Sequence, residues 1–163
     1  MLAGVLLSEA GILDGKNVSW IPSYGPEMRG GTANCAVVVS EEPIGSPIVD
    51  NPDVVIAMNL PSMDKFEPLI KKGGLMVFNS SLIKSTPKRD DLTYVAVPAN
   101  EIAESLGSEK VANMVMLGAM LKADGWVSTS SLGKVIEKKM TGSKAKFIPL
   151  NIAAIKKGEE IAG

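Results

Sequence analysis

The stretch Ser23-Tyr-Gly-Pro-Glu-Met-Arg-Gly-Gly-Thr-Ala-Asn34 puts one carboxylate, one guanidinium and three glycines among hydroxyl and amide side chains. Glycine lets the main chain approach a ligand closely and turn its N–H groups toward an anion. The planar fork of Arg29 can hold a phosphate or carboxylate through two parallel hydrogen bonds. A plainer reading is a tight connector in which Glu27 and Arg29 simply neutralise each other. Composition alone leaves both open, although ligand contacts do concentrate on loops held by a rigid scaffold.

Polar residues at the ends of apolar runs form a second tier: Asn59 and Ser62, Asn79 and Ser80, and Asn100. In open α/β sheets ligands lie beyond the carboxyl ends of the strands, but each of these residues taken singly reads as a helix cap or turn former. Asn113 falls within an apolar helical pattern and is expected to pack with a hydrogen-bonding partner. Cys35 opens an apolar run and reads as a small core residue.

The residues that are missing restrict the chemistry further. The chain of 163 residues has no histidine and one cysteine. The commonest general base and metal ligand is therefore absent, and an iron–sulfur cluster, which takes about four thiolates, cannot be held by this chain alone. No metal site and no catalytic residue is expected, and a single cysteine fits a reducing compartment. With a formal net charge of −1 and no long basic run, nothing marks a nucleic-acid surface. The apolar start is too short to span a bilayer and is interrupted by Glu9, so no membrane association and a cytoplasmic location are expected.

The elements that must carry these residues follow from periodicity and punctuation. Leu2, Val5, Leu6, Ala10 and Leu13 sit at helical spacing, stopped by Asp14-Gly15. Strands are expected at 18–21, closed by Pro22, and at 36–39, 54–58, 75–78 and 93–97. Ser62 is expected to cap a helix through Ile70, with Pro68 kinking it or moving its start. Asn100 and Ser108 are expected to cap helices ended by Gly107 and Gly125, and two more run over about 129–139 and 149–162. Strands alternating with helices predict an α/β fold, a three-layer α/β/α domain. The strands at 18 and 36 have no helix between them, which makes the central sheet mixed, mostly parallel. Residues 1–163 are expected to form one domain.

The motif from Ser23 through Cys35, with Ile44-Gly-Ser-Pro-Ile-Val49, Asn79-Ser-Ser-Leu-Ile83, Val97-Pro-Ala-Asn-Glu-Ile-Ala103 and Asn113-Met-Val-Met-Leu-Gly-Ala119, resembles the gamma subunit of 2-oxoacid:ferredoxin oxidoreductases. The resemblance covers nearly the whole chain and implies the fold of the gamma domain of pyruvate:ferredoxin oxidoreductase. It implies a subunit that is inactive alone, in a complex that decarboxylates a 2-oxo acid, 2-oxoglutarate first, with coenzyme A to give acyl-CoA and carbon dioxide. Electrons pass to ferredoxin. Thiamine diphosphate, magnesium and the iron–sulfur clusters are implied on partner subunits, which are alpha, beta and, where one is present, delta. Gly25, Glu27, Arg29, Gly30, Gly31, Thr32 and Asn34 are implied to face the CoA cleft or a subunit contact. The family's usual first strand and Gly-x-Gly-Gly-Gln-Gly-like turn are not in this sequence, and the natural start is expected to lie upstream of Met1. Two other readings stand beside this one: a free-standing CoA- or nucleotide-binding module, and a purely architectural subunit.

Overall fold

Gly4, Ser8 and Gly11 recur on one face of the first helix, and their small size lets it lie directly on a pair of strands. The structure, a computed structural model, describes residues 1–23 and 33–163. It divides into two compact units, Met1–Val49 with Trp126–Ala145, and Asp50–Gly125 with Lys146–Gly163.

In the first unit, α1 (Leu2–Leu13) packs on the antiparallel strands β1 (Asn17–Ser23) and β2 (Asn34–Ser40). Their register pairs Val18 with Val39, Trp20 with Val37 and Pro22 with Cys35, and side-chain alternation puts these residues on one face. That face is the one under α1: a Cβ at Gly4 would meet Cys35 and Trp20, and one at Gly11 would meet Val18 and Val39. β1 continues through Pro22 instead of ending before it. A two-stranded sheet is all edge, which is where proline is tolerated. Helix α5 (Thr129–Lys139) covers α1 with Leu132, Val135 and Ile136 buried. Asp14, at the end of α1, accepts from the Ser128 main-chain N–H (2.6 Å) and from the Ser128 and Ser131 hydroxyls, which joins the end of one helix to the start of the other.

In the second unit β3 (Val54–Ala57), β4 (Leu75–Asn79) and β5 (Thr93–Val97) form a parallel sheet in that order. All five residues of β4 are buried, so both faces are covered. Met76 and Phe78 join Ala57, Met63 of α2 (Leu60–Phe66), Ile70 and Ile83 in one cluster. α4 (Ala112–Asp124) is buried almost all round and packs against all three strands, with α3 (Ala99–Ser105) and α6 (Ile148–Ala162) against it. The unit thus has helices in layers around a parallel sheet, as the α/β reading expects. The mixed strand directions are present too, but the ladders form a two-stranded antiparallel and a three-stranded parallel sheet, not one continuous sheet.

Three boundaries differ from expectation, each for a local reason. Asn59, not Ser62, caps α2: its Oδ1 accepts from the Ser62 N–H at 3.0 Å. Pro68 falls in a 3-10 turn, Glu67–Leu69, that follows α2. Asn100 lies inside α3, which starts one residue after Pro98, and its side chain is engaged elsewhere.

Candidate functional site

The chain enters and leaves the glycine-rich loop at Ser23 and Asn34, and these two residues are register partners at the end of the β1–β2 ladder. Gly25, Glu27, Arg29, Gly30, Gly31 and Thr32 lie outside the described residues. Of the predicted site residues the structure therefore places Asn34, half-buried where β2 begins. The ladder holds both ends of the loop side by side, which satisfies the first requirement for presenting a short polar segment on a rigid frame.

The direction of α1 adds to this. Its Gly4 lies by Cys35 and Trp20, near the loop end of the ladder, and its Gly11 lies by Val18 and Val39, toward the other end. α1 therefore runs antiparallel to β1, and its amino end approaches the residues from which the loop departs. Among the described residues no side chain caps that end. Cys35, directly after Asn34, is a free thiol, half-buried against Gly4. Gly4 has no counterpart among the residues singled out from the sequence. The repeat of small residues Gly4, Ser8 and Gly11 at helical spacing was the signal that could have found it.

The second-tier residues gather at the carboxyl edge of the parallel sheet. Asn79 ends β4, is fully buried, and makes four hydrogen bonds. Its Nδ2 donates to Asn100 Oδ1 (2.8 Å) and to the Met58 carbonyl (3.4 Å). Its Oδ1 accepts from the main-chain N–H groups of Ser81 (3.2 Å) and Ala99 (3.3 Å). One side chain thereby ties together the turns that follow β3, β4 and β5. Ser81 donates to Glu101 and accepts from the Asn100 N–H (3.0 Å). The Ser81 hydroxyl holds the Glu101 carboxyl below the ordinary carboxylate range. These bonds bear out the turn and cap reading of Asn59 and Asn79, whereas Asn100 lies within α3 and engages Asn79 with its side chain instead of capping a helix. Asn113, expected to pack in its helix with a hydrogen-bonding partner, has its Oδ1 buried with no such partner among the described residues.

At the opposite, amino edge of the same sheet an open cavity of about 370 Å³ is lined by Asp53, Lys71, Lys72, Gly73, Thr93 and Asp124, among others. Lys71 is already paired with Asp53 at 2.8 Å, and this edge is the one that open α/β sheets do not use for ligands. Among the described residues no group of three or more Asp, Glu, Cys or His can hold a metal, and no helix is long and apolar enough to cross a membrane.

Residues 1–161 match the family described as pyruvate ferredoxin/flavodoxin oxidoreductase. The ketoisovalerate oxidoreductase subunit VorA of Methanothermobacter marburgensis is 38% identical over 160 residues, which are 98% of this chain and 33% of that one. This chain thus spans about a third of VorA's length. The 2-oxoglutarate synthase subunit KorC of Methanocaldococcus jannaschii is 36% identical over 166 residues, 99% of this chain and 87% of KorC. The gamma subunit of a keto/oxoacid ferredoxin oxidoreductase from Geobacter sulfurreducens superposes with a TM-score of 0.84 at 34% identity, covering 99% of this chain and 89% of that one. Family pattern, sequence and fold agree over nearly every residue, and the chain belongs to the pyruvate ferredoxin/flavodoxin oxidoreductase family.

Proposed function

We propose that residues 1–163 serve as the gamma-type component of a cytoplasmic 2-oxoacid:ferredoxin oxidoreductase that converts a 2-oxo acid and coenzyme A to acyl-CoA and carbon dioxide. The observation that carries this reading is the match to KorC along almost the full length of both chains. That match also supports 2-oxoglutarate as substrate. The 38% identity to VorA favours a branched-chain oxo acid as a second substrate.

In this reading the chain supplies no electron-carrying group. One cysteine and no histidine in the whole sequence leave thiamine diphosphate, magnesium and the iron–sulfur clusters to the alpha, beta and any delta components. Its contribution is the 23–34 loop. Arg29 offers a charged fork to a phosphate of CoA, and Gly25, Gly30 and Gly31 offer close main-chain approach. Glu27, Thr32 and Asn34 complete a polar rim. Binding energy gathered on the remote phosphates of CoA can be used to orient its thiol at a reacting centre held by the partner components.

Affinity purification of the tagged chain from its native host tests the assignment. Co-purification of thiamine- and iron-containing polypeptides, with CoA-dependent reduction of ferredoxin by 2-oxoglutarate, is the expected outcome. Recovery of the chain alone, or a complex inactive with every 2-oxo acid tried, overturns it.

A further inference from the structure

We infer that Lys134, Lys138 and Lys144 form a docking face for an acidic protein, the electron acceptor that visits the complex. The inference rests on the oxidoreductase reading proposed above.

The first unit is neutral in sum but polarised along its chain. Residues 134–144 carry four lysines against one glutamate, and the rest of the unit carries two basic residues against five acidic ones. Lys139 is already bound to Glu9 at 2.6 Å. Lys134, Lys138 and Lys144 are exposed, and among the described residues none of the three has an ion-pair partner. Their placement follows from α5. Its Leu132, Val135 and Ile136 are buried toward α1, so Lys134 and Lys138, four residues apart, stand together on the outward face. Lys144 follows on a 3-10 helix, Gly142–Phe147, all six residues of which are exposed. Helical turns in proteins owe most of their stability to a packed face, and this one is formed with every residue turned to the outside.

The chemistry of the face selects the kind of partner. Lysine is depleted from the buried centres of permanent interfaces, and fixing its long side chain is entropically unfavourable. A cluster of exposed like charges instead speeds encounter with an oppositely charged protein. Unpaired lysines on an outward face therefore suit a visitor better than a fixed neighbour. In the oxidoreductase reading the visitor is ferredoxin, which arrives oxidised, takes an electron and leaves. One cysteine in the whole chain means that the electron comes from a neighbouring component, and the lysine face guides the acceptor to it.

The test uses the assembled oxidoreductase with saturating 2-oxoglutarate and CoA and two acceptors, an acidic ferredoxin and methyl viologen, a small dye with no protein surface. One variant carries Lys134→Glu, Lys138→Glu and Lys144→Glu. A control carries Lys110→Glu, Lys122→Glu and Lys156→Glu, exposed lysines of the second unit that give the same change in net charge. At low salt the face variant is expected to raise KM for ferredoxin about tenfold or more, with kcat and the methyl viologen rate within about twofold of the parent. The difference should shrink toward about 1 M salt, where charges are screened within about 3 Å. An unchanged KM, an equal rise in the control, or a rise that persists at high salt overturns the inference. So does a folded face variant that no longer joins the other components, since the face would then belong to a permanent interface. Should circular dichroism show that the face variant is unfolded, the Lys→Gln triple variant takes its place: a rise of about threefold in KM sustains the face, and none overturns it. A parent complex that reduces neither acceptor sinks the oxidoreductase reading and the docking face with it. One that reduces methyl viologen, while KM for ferredoxin ignores the substitutions, sinks the docking face alone.

Discussion

Gly118 on α4 and Gly158 on α6 interlock: a Cβ at Gly118 would stand 2.1 Å from the Ile155 carbonyl oxygen, and one at Gly158 would stand 1.9 Å from that of Val115. Each glycine makes room for the other helix's main chain, so the two helices meet backbone to backbone. Both are otherwise costly in a helix interior, by about 1 kcal/mol relative to alanine. Close packing of α6 on α4, which is in turn packed on all three parallel strands, offsets that cost.

Gly118→Ala or Gly158→Ala is therefore expected to destabilise the protein even though alanine is the better helix former. The obstacle is main chain, which cannot rotate away, so the loss is about 3 kcal/mol or more. For a chain of this size that lowers the melting temperature by roughly 6–12 °C, to be read by calorimetry. A rise in melting temperature would show that the helices separate freely.

Asn79→Ala removes four hydrogen bonds from a fully buried position and leaves the Ser81 and Ala99 N–H groups and Asn100 Oδ1 without that partner. The expected cost is about 2–4 kcal/mol, most of it from groups left unpaired. Amide hydrogen exchange should quicken at Ser81 and Ala99. A variant that loses stability with exchange there unaltered would mean Asn79 does not tie these turns.

Burial pushes the Asp14 carboxyl up, but it is outweighed by hydrogen bonds from the Ser128 N–H and the Ser131 and Ser128 hydroxyls, aided by Lys16, and its pKa lies below the ordinary 3.8. A depressed folded-state pKa contributes stability that is whole above the unfolded value and is lost as pH falls through the folded one. Asp14→Asn should therefore melt below the parent at pH 7, with the gap closing below about pH 3.8. Melting curves across pH 2 to 7 check this; a constant gap would assign the effect to something other than ionisation.

Tyr94 behaves in the opposite sense. Burial, and then its hydrogen bond to the buried Glu67 carboxylate (2.6 Å), push its hydroxyl up from 10.0 to about 12. A raised folded-state pKa leaves its contribution intact below pH 10 and removes it as pH rises toward about 12. Tyr94→Phe is expected to cost about 1–2 kcal/mol at neutral pH, because Glu67 Oε1 loses the Tyr94 hydroxyl and retains the Lys88 N–H. It should also flatten the alkaline loss of stability relative to the parent in melting experiments. Equal alkaline slopes would exclude Tyr94 as their source.

Arg29→Ala in the assembled oxidoreductase is expected to raise the apparent KM for CoA by roughly tenfold to a hundredfold, the loss of one charge-assisted contact of about 1.5–3 kcal/mol. A purely architectural chain predicts no change while assembly persists. Steady-state kinetics with varied CoA decide between the two.

The sequence by itself determined the family, the α/β class and the order of elements, because each is written in local signals. The apolar runs at 54–58, 75–78 and 93–97 announce strands, the stretch that Ser108 opens and Gly125 closes announces a helix, and the 23–35 motif announces the family. It also showed one cysteine in 163 residues, where an iron–sulfur cluster takes about four thiolates. What it did not determine depends on partners distant in the chain. Ser62 and Asn59 are equally good caps on paper, and the choice fell to Asn59 because its side chain meets the Ser62 N–H. Asn100 looks like a cap but is taken by Asn79, which stands beside it only once β4 and β5 are paired. Gly118 and Gly158 read as weak points in two separate helices until packing makes them reciprocal, and Gly4 reads as filler until the β1–β2 register places Cys35 against it. Propensity and pattern act over a few residues. Which small side chain must be small is decided by whatever the fold brings within contact distance, and only tertiary structure supplies that.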